Sequence, residues 1–209
     1  MRHVVGVDFD NTIVNYDKVM YQTAVRFGWV DDSVRKNKKD VRDRIRLLPQ
    51  GEIKWRKLQA TVYGQAMRGA IMNIGVKEFF RSCRMKRIPT YIISHKTKYA
   101  AEDEQKIDLR KVALDWMEEQ GFFGQKEMGL ARDQVYFEST RQKKIERIRK
   151  MGCTCFVDDL QETFLEPSFP GGVEKILFSK NAASCLPKEI KIIGSWKEIS
   201  DYLFNTNNA

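Results

Sequence analysis

The sequence VVGVDFDNTIV, which covers Val4 to Val14, carries the clearest strand signal in the chain. Its first half is a nearly continuous apolar run, which is typical of a strand buried on both faces of a parallel sheet. Two carboxylates, Asp8 and Asp10, follow at the end of this run. Because an unpaired charge is costly to bury, we expect both to lie at the carboxyl edge of the sheet, where open parallel sheets bind their ligands.

The two carboxylates also suggest a chemistry. Carboxylate oxygens suit a hard cation such as Mg2+, which in turn usually binds substrate phosphates. One carboxylate could attack while the other transfers protons. The alternative, from these residues alone, is a strand followed by a solvated turn, since Asp and Asn favour turns.

Composition limits the classes to which the chain can belong. Its 209 residues are 42% hydrophobic and 31% charged, which is ordinary for a globular protein. No apolar run approaches the length of a membrane span, and the first strand begins at Val4 without a secretory signal. We therefore expect a cytoplasmic protein with no membrane partner. The four cysteines are then expected to be free thiols, at Cys83, Cys153, Cys155 and Cys185.

The net charge of +9 is concentrated in one segment. Between Ser33 and Lys57 there are ten Lys or Arg residues against three Asp or Glu residues. Such a segment attracts anionic substrates or polyanions, although a solvated helical face is the more common role of a charge run.

Strand and helix patterns alternate along most of the chain. Residues 15–74 show helical spacing and no strand signal. Short apolar strand patterns recur at 91–93, 135–137, 156–157 and 175–178, the last of which we interpret as the final core strand. The stripe at 109–117 has the spacing of a helix packed on a sheet.

We therefore predict an α/β fold with a doubly wound, Rossmann-like parallel sheet. The core domain would comprise residues 1–14 and 75–209, and residues 15–74 would form a small helical cap inserted after the first strand.

Polar side chains follow four of the predicted strands. They are Asp8 and Asp10, Ser94, Ser139 and Thr140 followed by Lys143 and Lys144, and Asp158 and Asp159. Because the carboxyl ends of parallel strands share one edge, we expect these groups to converge. Carboxylates there would make a Mg2+ site, and a hydroxyl and an ammonium would hold phosphate oxygens. Phosphoryl transfer requires this combination.

In their order, these motifs resemble those of the haloacid dehalogenase (HAD)-like superfamily, in its phosphatase branch with a helical type 1 cap. The family's Asp-x-Asp-x-Thr, strand-ending Ser, helical Lys and acidic pair are matched by residues 8–12, Ser94, Lys143 or Lys144, and Asp158-Asp159. Lys144 is preferred because it precedes Gly152 by eight residues, a spacing that the family often uses.

The resemblance implies a role for each matched residue. Asp8 would be the nucleophile that forms an aspartyl-phosphate, and Asp10 the acid and base, with its backbone carbonyl on Mg2+. Ser94 and Lys144 would bind the transferring phosphoryl group. Asp159 would be the direct Mg2+ ligand and Asp158 would support it, so that the metal site comprises Asp8, Asp10, Asp158 and Asp159. Asp10 also favours phosphate chemistry over carbon–halogen cleavage, because the dehalogenase members lack an acid there.

Substrate contacts are expected from the first motif, the neighbouring strand ends and the cap. Outside the cap they are Asn11, Thr12, His95 and Lys143. The cap candidates are Arg42, Arg46, Lys54, Trp55, Arg56 and Tyr63. Of these, we name Arg46 and Arg56 as predicted substrate-binding residues, since a guanidinium pairs bidentately with phosphate. The alternative that they only solvate the outer face of the cap stays open.

The sequence thus predicts a Mg2+-dependent phosphatase that hydrolyses a phosphomonoester of a small metabolite, such as a sugar phosphate or a nucleotide. Two alternatives are a polynucleotide end phosphatase that uses the basic cap, and a non-catalytic regulatory or binding module on the same fold.

Overall fold

The computed structural model describes residues 3–124, 128–180 and 186–205. The strands are β1 (Val5–Val7), β2 (Val14–Asn15), β3 (Ile71–Met72), β4 (Thr90–His95), β5 (Val135–Glu138), β6 (Cys155–Asp158), β7 (Glu174–Phe178) and β8 (Ile190–Ile193). The α-helices are α1 (Asp17–Arg26), α2 (Lys38–Arg46), α3 (Gly51–Tyr63), α4 (Val76–Met85), α5 (Leu109–Glu119), α6 (Arg141–Lys150), α7 (Gln161–Phe164) and α8 (Trp196–Asn205).

The chain divides into two compact units. The sheet unit comprises Met1–Ile13, Met72–His95 and Gly121–Ala209, and the helical unit comprises Val14–Ile71 and Lys96–Gln120. The helical unit therefore contains residues 96–120 in addition to most of the segment that the sequence assigned to a cap.

A six-stranded parallel sheet forms the centre of the sheet unit. Its strand order is β5-β4-β1-β6-β7-β8, so the chain winds outward from β1 in both directions. Each neighbouring pair in this order is parallel. The predicted doubly wound, Rossmann-like parallel sheet is thus confirmed, with β1 in its interior.

Strand β1 is buried along its whole length, as its apolar run predicted. Val5 and Val7 have no exposed surface. Gly6 pairs in register with Phe156 of β6, and a Cβ atom at Gly6 would lie 2.5 Å from the Phe156 ring. Glycine is required there because the ring occupies the space of a side chain.

The sheet extends one strand further than the sequence pattern predicted. The interpretation of 175–178 as the final strand is wrong, because β8 pairs with β7 in parallel and Ile190 lies opposite Lys175. This edge strand buries Ile190 and exposes Lys191. Its sequence, Ile-Lys-Ile-Ile, is as apolar as those of the central strands, so the signal for this strand is present in the sequence and was missed.

The helical unit has its own packing. Helices α1, α2 and α3 contact one another, and α5 contacts α3 and the 3-10 turn at Met67–Gly69. The buried Trp116 of α5 donates its indole N–H to the carbonyl oxygen of Ala70 at 3.2 Å. The apolar stripe at 109–117, predicted to pack on the sheet, therefore belongs to this unit.

The described cysteines are free thiols, as predicted. Cys83, Cys153 and Cys155 are buried, while Cys185 lies outside the described residues. Burial raises the pKa of Cys83 to about 11 and that of Cys153 to about 12. These thiols are therefore protonated and unreactive at neutral pH.

Among the described residues, no helix has the length and apolar character needed to cross a membrane.

Candidate active site

Strand register brings Asp8 and Asp158 together at the carboxyl edge of the sheet. Val7 pairs with Val157, so the next residue of each strand comes beside the other. The Asp8 N–H donates to the Val157 carbonyl oxygen at 2.8 Å. Val7 also pairs with Ile92 of β4, which places the buried Ser94 at the same end of the sheet.

Helix α6 carries a lysine into this edge. Its first turn is capped by Thr140, whose hydroxyl accepts the Lys143 N–H at 3.1 Å. Lys144 is buried on the same helical face as Ile148, four residues further on, whereas Lys143 is exposed. The apolar stripe of α6 therefore orients Lys144, not Lys143, toward the strand ends.

The Lys144 ammonium lies between the two carboxylates. Its Nζ atom is 2.6 Å from Asp8 Oδ1 and 2.7 Å from Asp158 Oδ2. The three side chains are almost entirely buried, with Lys144 only 2% exposed. Breaking a buried ion pair leaves an uncompensated charge and is strongly destabilising. The three side chains are therefore held in this arrangement.

Burial has opposite consequences for Asp8 and Lys144. It raises the pKa of Asp8 to about 7, although Lys144 opposes the shift, and the neighbouring Asp158 and Asp10 add to it. Burial alone would lower the pKa of Lys144, but Asp158 and Asp8 outweigh it and the pKa is raised. Lys144 is thus charged at neutral pH, while Asp8 titrates near neutrality.

The acidic pair after β6 is held in two different ways. Asp158 is fully buried, and its second oxygen, Oδ1, accepts the Leu160 N–H at 3.0 Å. Asp159 is partly exposed; its N–H donates to Thr12 Oγ1 at 3.0 Å, and the Thr12 hydroxyl donates to Asp159 Oδ1 at 3.4 Å. Thr12, predicted as a substrate contact, is itself fully buried and bonded to Asp159.

The arrangement of carboxylates fits a hard divalent cation. Asp8, Asp158 and Asp159 each offer an oxygen, and these atoms lie within 4.8 Å of one another. Within the part of the chain that the structure describes, no other group of three or more acidic, His or Cys side chains converges in this way. Carboxylate oxygens are the donors that hard divalent cations prefer. Asp10 is partly exposed just beyond β1 and was predicted to contribute its backbone carbonyl.

Two further predicted contact residues lie on this edge of the sheet. His95 ends β4, and its Nε2 is 3.2 Å from the Ser139 carbonyl oxygen. Partial burial lowers the pKa of His95, and the positive charges of Lys144 and Arg141 lower it further. Asn11 adopts a left-handed backbone conformation, with φ at 60°, where the chain leaves β1.

The cap candidates lie in the helical unit. Arg46 pairs with Glu52 at 2.8 Å, and Arg56 pairs with Glu102 at 3.6 Å. All four of these side chains are at least one-third exposed.

Tyr63 is contacted by a lysine that sequence reasoning missed. The Lys96 ammonium lies 5.1 Å from the centroid of the Tyr63 ring, and that of Lys38 lies 5.8 Å away. Lys96 is only 4% exposed. Its sequence signal is its position two residues after Ser94, in the loop that leaves β4.

Solved structures of hydrolases share this fold. A HAD-superfamily hydrolase of subfamily IA from Geobacter sulfurreducens aligns over 96% of both chains, with 14% identity and a TM-score of 0.57. A predicted phosphoglycolate phosphatase from Haemophilus somnus aligns over 99% of both chains, with 13% identity and a TM-score of 0.56. A HAD-superfamily hydrolase from Ehrlichia chaffeensis aligns over 100% of both chains, with 13% identity and a TM-score of 0.53. No protein-family model and no curated protein matches the chain.

The topology and the site first define a class: doubly wound α/β domains with an acidic, lysine-containing site at the carboxyl edge of the sheet. Within that class, the similarity to these structures shows that the chain has the haloacid dehalogenase-like fold, as the order of its motifs predicted.

Proposed function

We propose that the chain is a Mg2+-dependent phosphatase that hydrolyses a phosphomonoester of a small metabolite. The observation that carries this proposal is the buried Lys144 ammonium between Asp8 and Asp158, beside the partly exposed Asp159. The fold supports it, since the chain resembles solved structures described as HAD hydrolases and one described as a predicted phosphoglycolate phosphatase.

In the first step, a carboxylate oxygen of Asp8 attacks the phosphorus atom. The bond from phosphorus to the ester oxygen breaks as the new bond forms, and Asp10 donates a proton to the departing oxygen. Ser94 and Lys144 hold oxygens of the transferring group, and the positive charge of Lys144 stabilises the negative charge that develops on them. The product of this step is an aspartyl-phosphate on Asp8.

In the second step, water attacks the phosphorus atom and Asp10 accepts its proton. The bond between phosphorus and the Asp8 oxygen breaks, which releases inorganic phosphate and restores the carboxylate. Asp8, Asp158 and Asp159 would hold Mg2+, with the Asp10 carbonyl. When bound, the ion would neutralise phosphate charge and align the phosphoryl group with Asp8.

Asp10 separates phosphate chemistry from carbon–halogen cleavage on the same fold. An alkoxide leaving group needs a proton, whereas a halide does not, so an acid two residues after the nucleophile favours a phosphate ester. A fold alone does not distinguish the two reactions.

The basic segment of the helical unit gives weaker support to a nucleic-acid substrate. Four of its arginines pair with carboxylates: Arg35 with Asp40, Arg42 with Asp43, Arg46 with Glu52 and Arg56 with Glu102. Each of these guanidinium groups would have to exchange a carboxylate for a phosphate in order to bind a polyanion. We therefore favour a small metabolite over a polynucleotide end.

Phosphate release from a panel of sugar phosphates, nucleotides and 5′- and 3′-phosphorylated oligonucleotides tests the proposal. We expect turnover of at least one small compound that requires Mg2+ and falls by roughly 10^4-fold or more in Asp8→Asn. Asp133→Asn, which changes an exposed Asp of the same unit, is the matched control and should retain full activity.

Two results would contradict the proposal. One is equal turnover by the wild type and Asp8→Asn. The other is no phosphate release from any compound, which would favour a binding module on this fold. Release from oligonucleotides alone, falling steeply with salt, would replace the small metabolite with a polynucleotide end.

A further inference from the structure

The loop that carries the first motif is held by two residues from elsewhere in the sheet unit. The Thr12 carbonyl oxygen accepts the Trp196 indole N–H at 3.1 Å and an Asn73 side-chain N–H at 2.9 Å. The Asn73 amide also lies 3.3 Å from the Asn11 carbonyl oxygen. Neither donor belongs to the motifs that the sequence singled out.

Packing fixes the Trp196 indole in place. The side chain is fully buried at the start of α8, with ring centroids of Phe79 and Phe178 at 4.8 and 5.7 Å. A Cβ atom at Gly75 would lie 2.9 Å from the Cβ of Trp196, so the backbone before α4 also approaches it closely. A buried indole N–H requires an acceptor, and the acceptor here is a carbonyl of the motif loop.

The other side of Thr12 faces the candidate metal site. Its hydroxyl accepts the Asp159 N–H at 3.0 Å and lies 3.4 Å from Asp159 Oδ1. One residue therefore receives two hydrogen bonds on its carbonyl and exchanges two more between its hydroxyl and Asp159. A displacement of Thr12 would therefore disturb the hydrogen bond that holds the Asp159 backbone, and with it the position of the Asp159 carboxylate.

We infer that Trp196 and Asn73 are positioning residues, which hold Thr12 so that Thr12 orients Asp159 toward the divalent cation. The inference rests on the proposed function in one respect, namely that Asp159 belongs to a metal site. Hydrogen-bond partners of metal ligands, here Thr12, commonly change metal affinity when they are removed, because they fix the orientation of the ligand. Trp196 and Asn73 act one hydrogen bond further away, through the Thr12 carbonyl.

The test is a titration with Mn2+ alone, in which the electron paramagnetic resonance signal of the free ion reports how much Mn2+ is bound. Trp196→Phe and Asn73→Ala remove the two donors, and Asn73→Ala retains the backbone bond from Asn73 N–H to the Ile13 carbonyl. We expect each variant to bind Mn2+ roughly tenfold more weakly than the wild type. In phosphatase assays, the Mg2+ concentration for half-maximal rate should rise similarly, with a smaller change in kcat at saturating Mg2+.

Phe178→Leu is the matched control, since it loosens the packing of Trp196 and retains its N–H. This variant should unfold at a lower urea concentration and bind Mn2+ like the wild type. Wild-type Mn2+ affinity in both donor variants, or an equal loss in Phe178→Leu, would overturn the inference and leave the proposed function intact. If instead the wild type binds no Mn2+, the metal site itself fails, and the proposed function fails with it.

Discussion

The two units of the molecule use charge in contrasting ways. In the sheet unit, Lys144 is 2% exposed and contacts Asp8 and Asp158 in one fixed geometry. In the helical unit, Arg46 and Glu52 form a pair at a similar distance, but their side chains are 45% and 52% exposed. Exposed pairs of this kind contribute about 0–1 kcal/mol to stability, whereas breaking a buried pair costs about 3–5 kcal/mol.

This difference in burial shows that the fold fixes the positions of charged groups in the sheet unit but not those of the exposed arginines. The positions of Asp8 and Asp158 follow from strand register, and that of Lys144 follows from the apolar face of α6. A ligand that binds at the sheet edge would therefore meet preorganised charges. The exposed arginines have no comparable support, and any substrate contact that they make would require them to leave their exposed pairs with carboxylates.

The largest effect that tests this contrast is expected for Lys144→Met. Removing the ammonium leaves Asp8 and Asp158 buried without their shared partner. We expect the free energy of unfolding at pH 8 to fall by about 3–5 kcal/mol and phosphate release to fall by about 10^2- to 10^3-fold. The loss of stability should be smaller at pH 5, because Asp8, with its pKa raised to about 7, is then neutral. Urea unfolding at pH 8 and pH 5 measures the two losses of stability, and a phosphate-release assay measures the loss of activity.

Lys143→Met is the matched control, since its side chain is exposed one residue earlier on the same helix. It should change stability by less than about 0.5 kcal/mol. Similar losses in the two variants would show that the buried arrangement has no special role.

The same two lysines show how far sequence reasoning reaches. The motifs and the alternating patterns predicted the sheet and the convergence of the strand ends, because both follow from local periodicity and parallel topology. These patterns did not distinguish Lys143 from Lys144, and Lys144 was preferred only because its distance from Gly152 matches a spacing common in the family. The structure adds that only Lys144 lies on the buried face of α6, with Ile145 and Ile148.

Packing partners were beyond the reach of periodicity. An apolar stripe shows that α5 is buried on one side but not what covers it, and α5 proved to contact α3. In the same way, a Trp in the final helix and an Asn before α4 give no sign in the sequence that both bind the Thr12 carbonyl. Long-range hydrogen bonds of this kind are fixed by tertiary structure alone.

An intermediate effect is expected for the pH dependence of Mg2+ binding. Burial raises the pKa of Asp8 to about 7 in the folded state without metal, from 3.8 as the ordinary value. The folded chain thus holds a proton that the unfolded chain releases, so stability without metal should fall as pH rises from about 4 to 7. Mg2+ must displace this proton at pH 6 but not at pH 8, and its affinity should rise about tenfold between them.

Isothermal titration calorimetry measures the Mg2+ affinity at each pH. In buffers of different ionisation enthalpy, the heat also gives the number of protons that are released when Mg2+ binds at pH 6. Asp8→Asn removes the titrating group and should bind Mg2+ with an affinity that changes little over the same range. An equal Mg2+ affinity of the wild type at both pH values would show that Asp8 does not titrate as the geometry indicates.

The smallest effect is expected for Arg46→Gln and Arg56→Gln in the helical unit. Because their pairs with Glu52 and Glu102 are exposed, each change should alter the free energy of unfolding by less than about 1 kcal/mol. If these arginines contact an anionic part of the substrate, KM should rise by roughly fivefold with kcat unchanged, equivalent to about 1 kcal/mol of binding shared by ground and transition states. Steady-state kinetics on the best substrate measure both constants, with Lys18→Gln, another exposed cation of this unit, as the control. An unchanged KM in both arginine variants would assign these side chains to solvation of the helical unit and confine substrate selection to other residues.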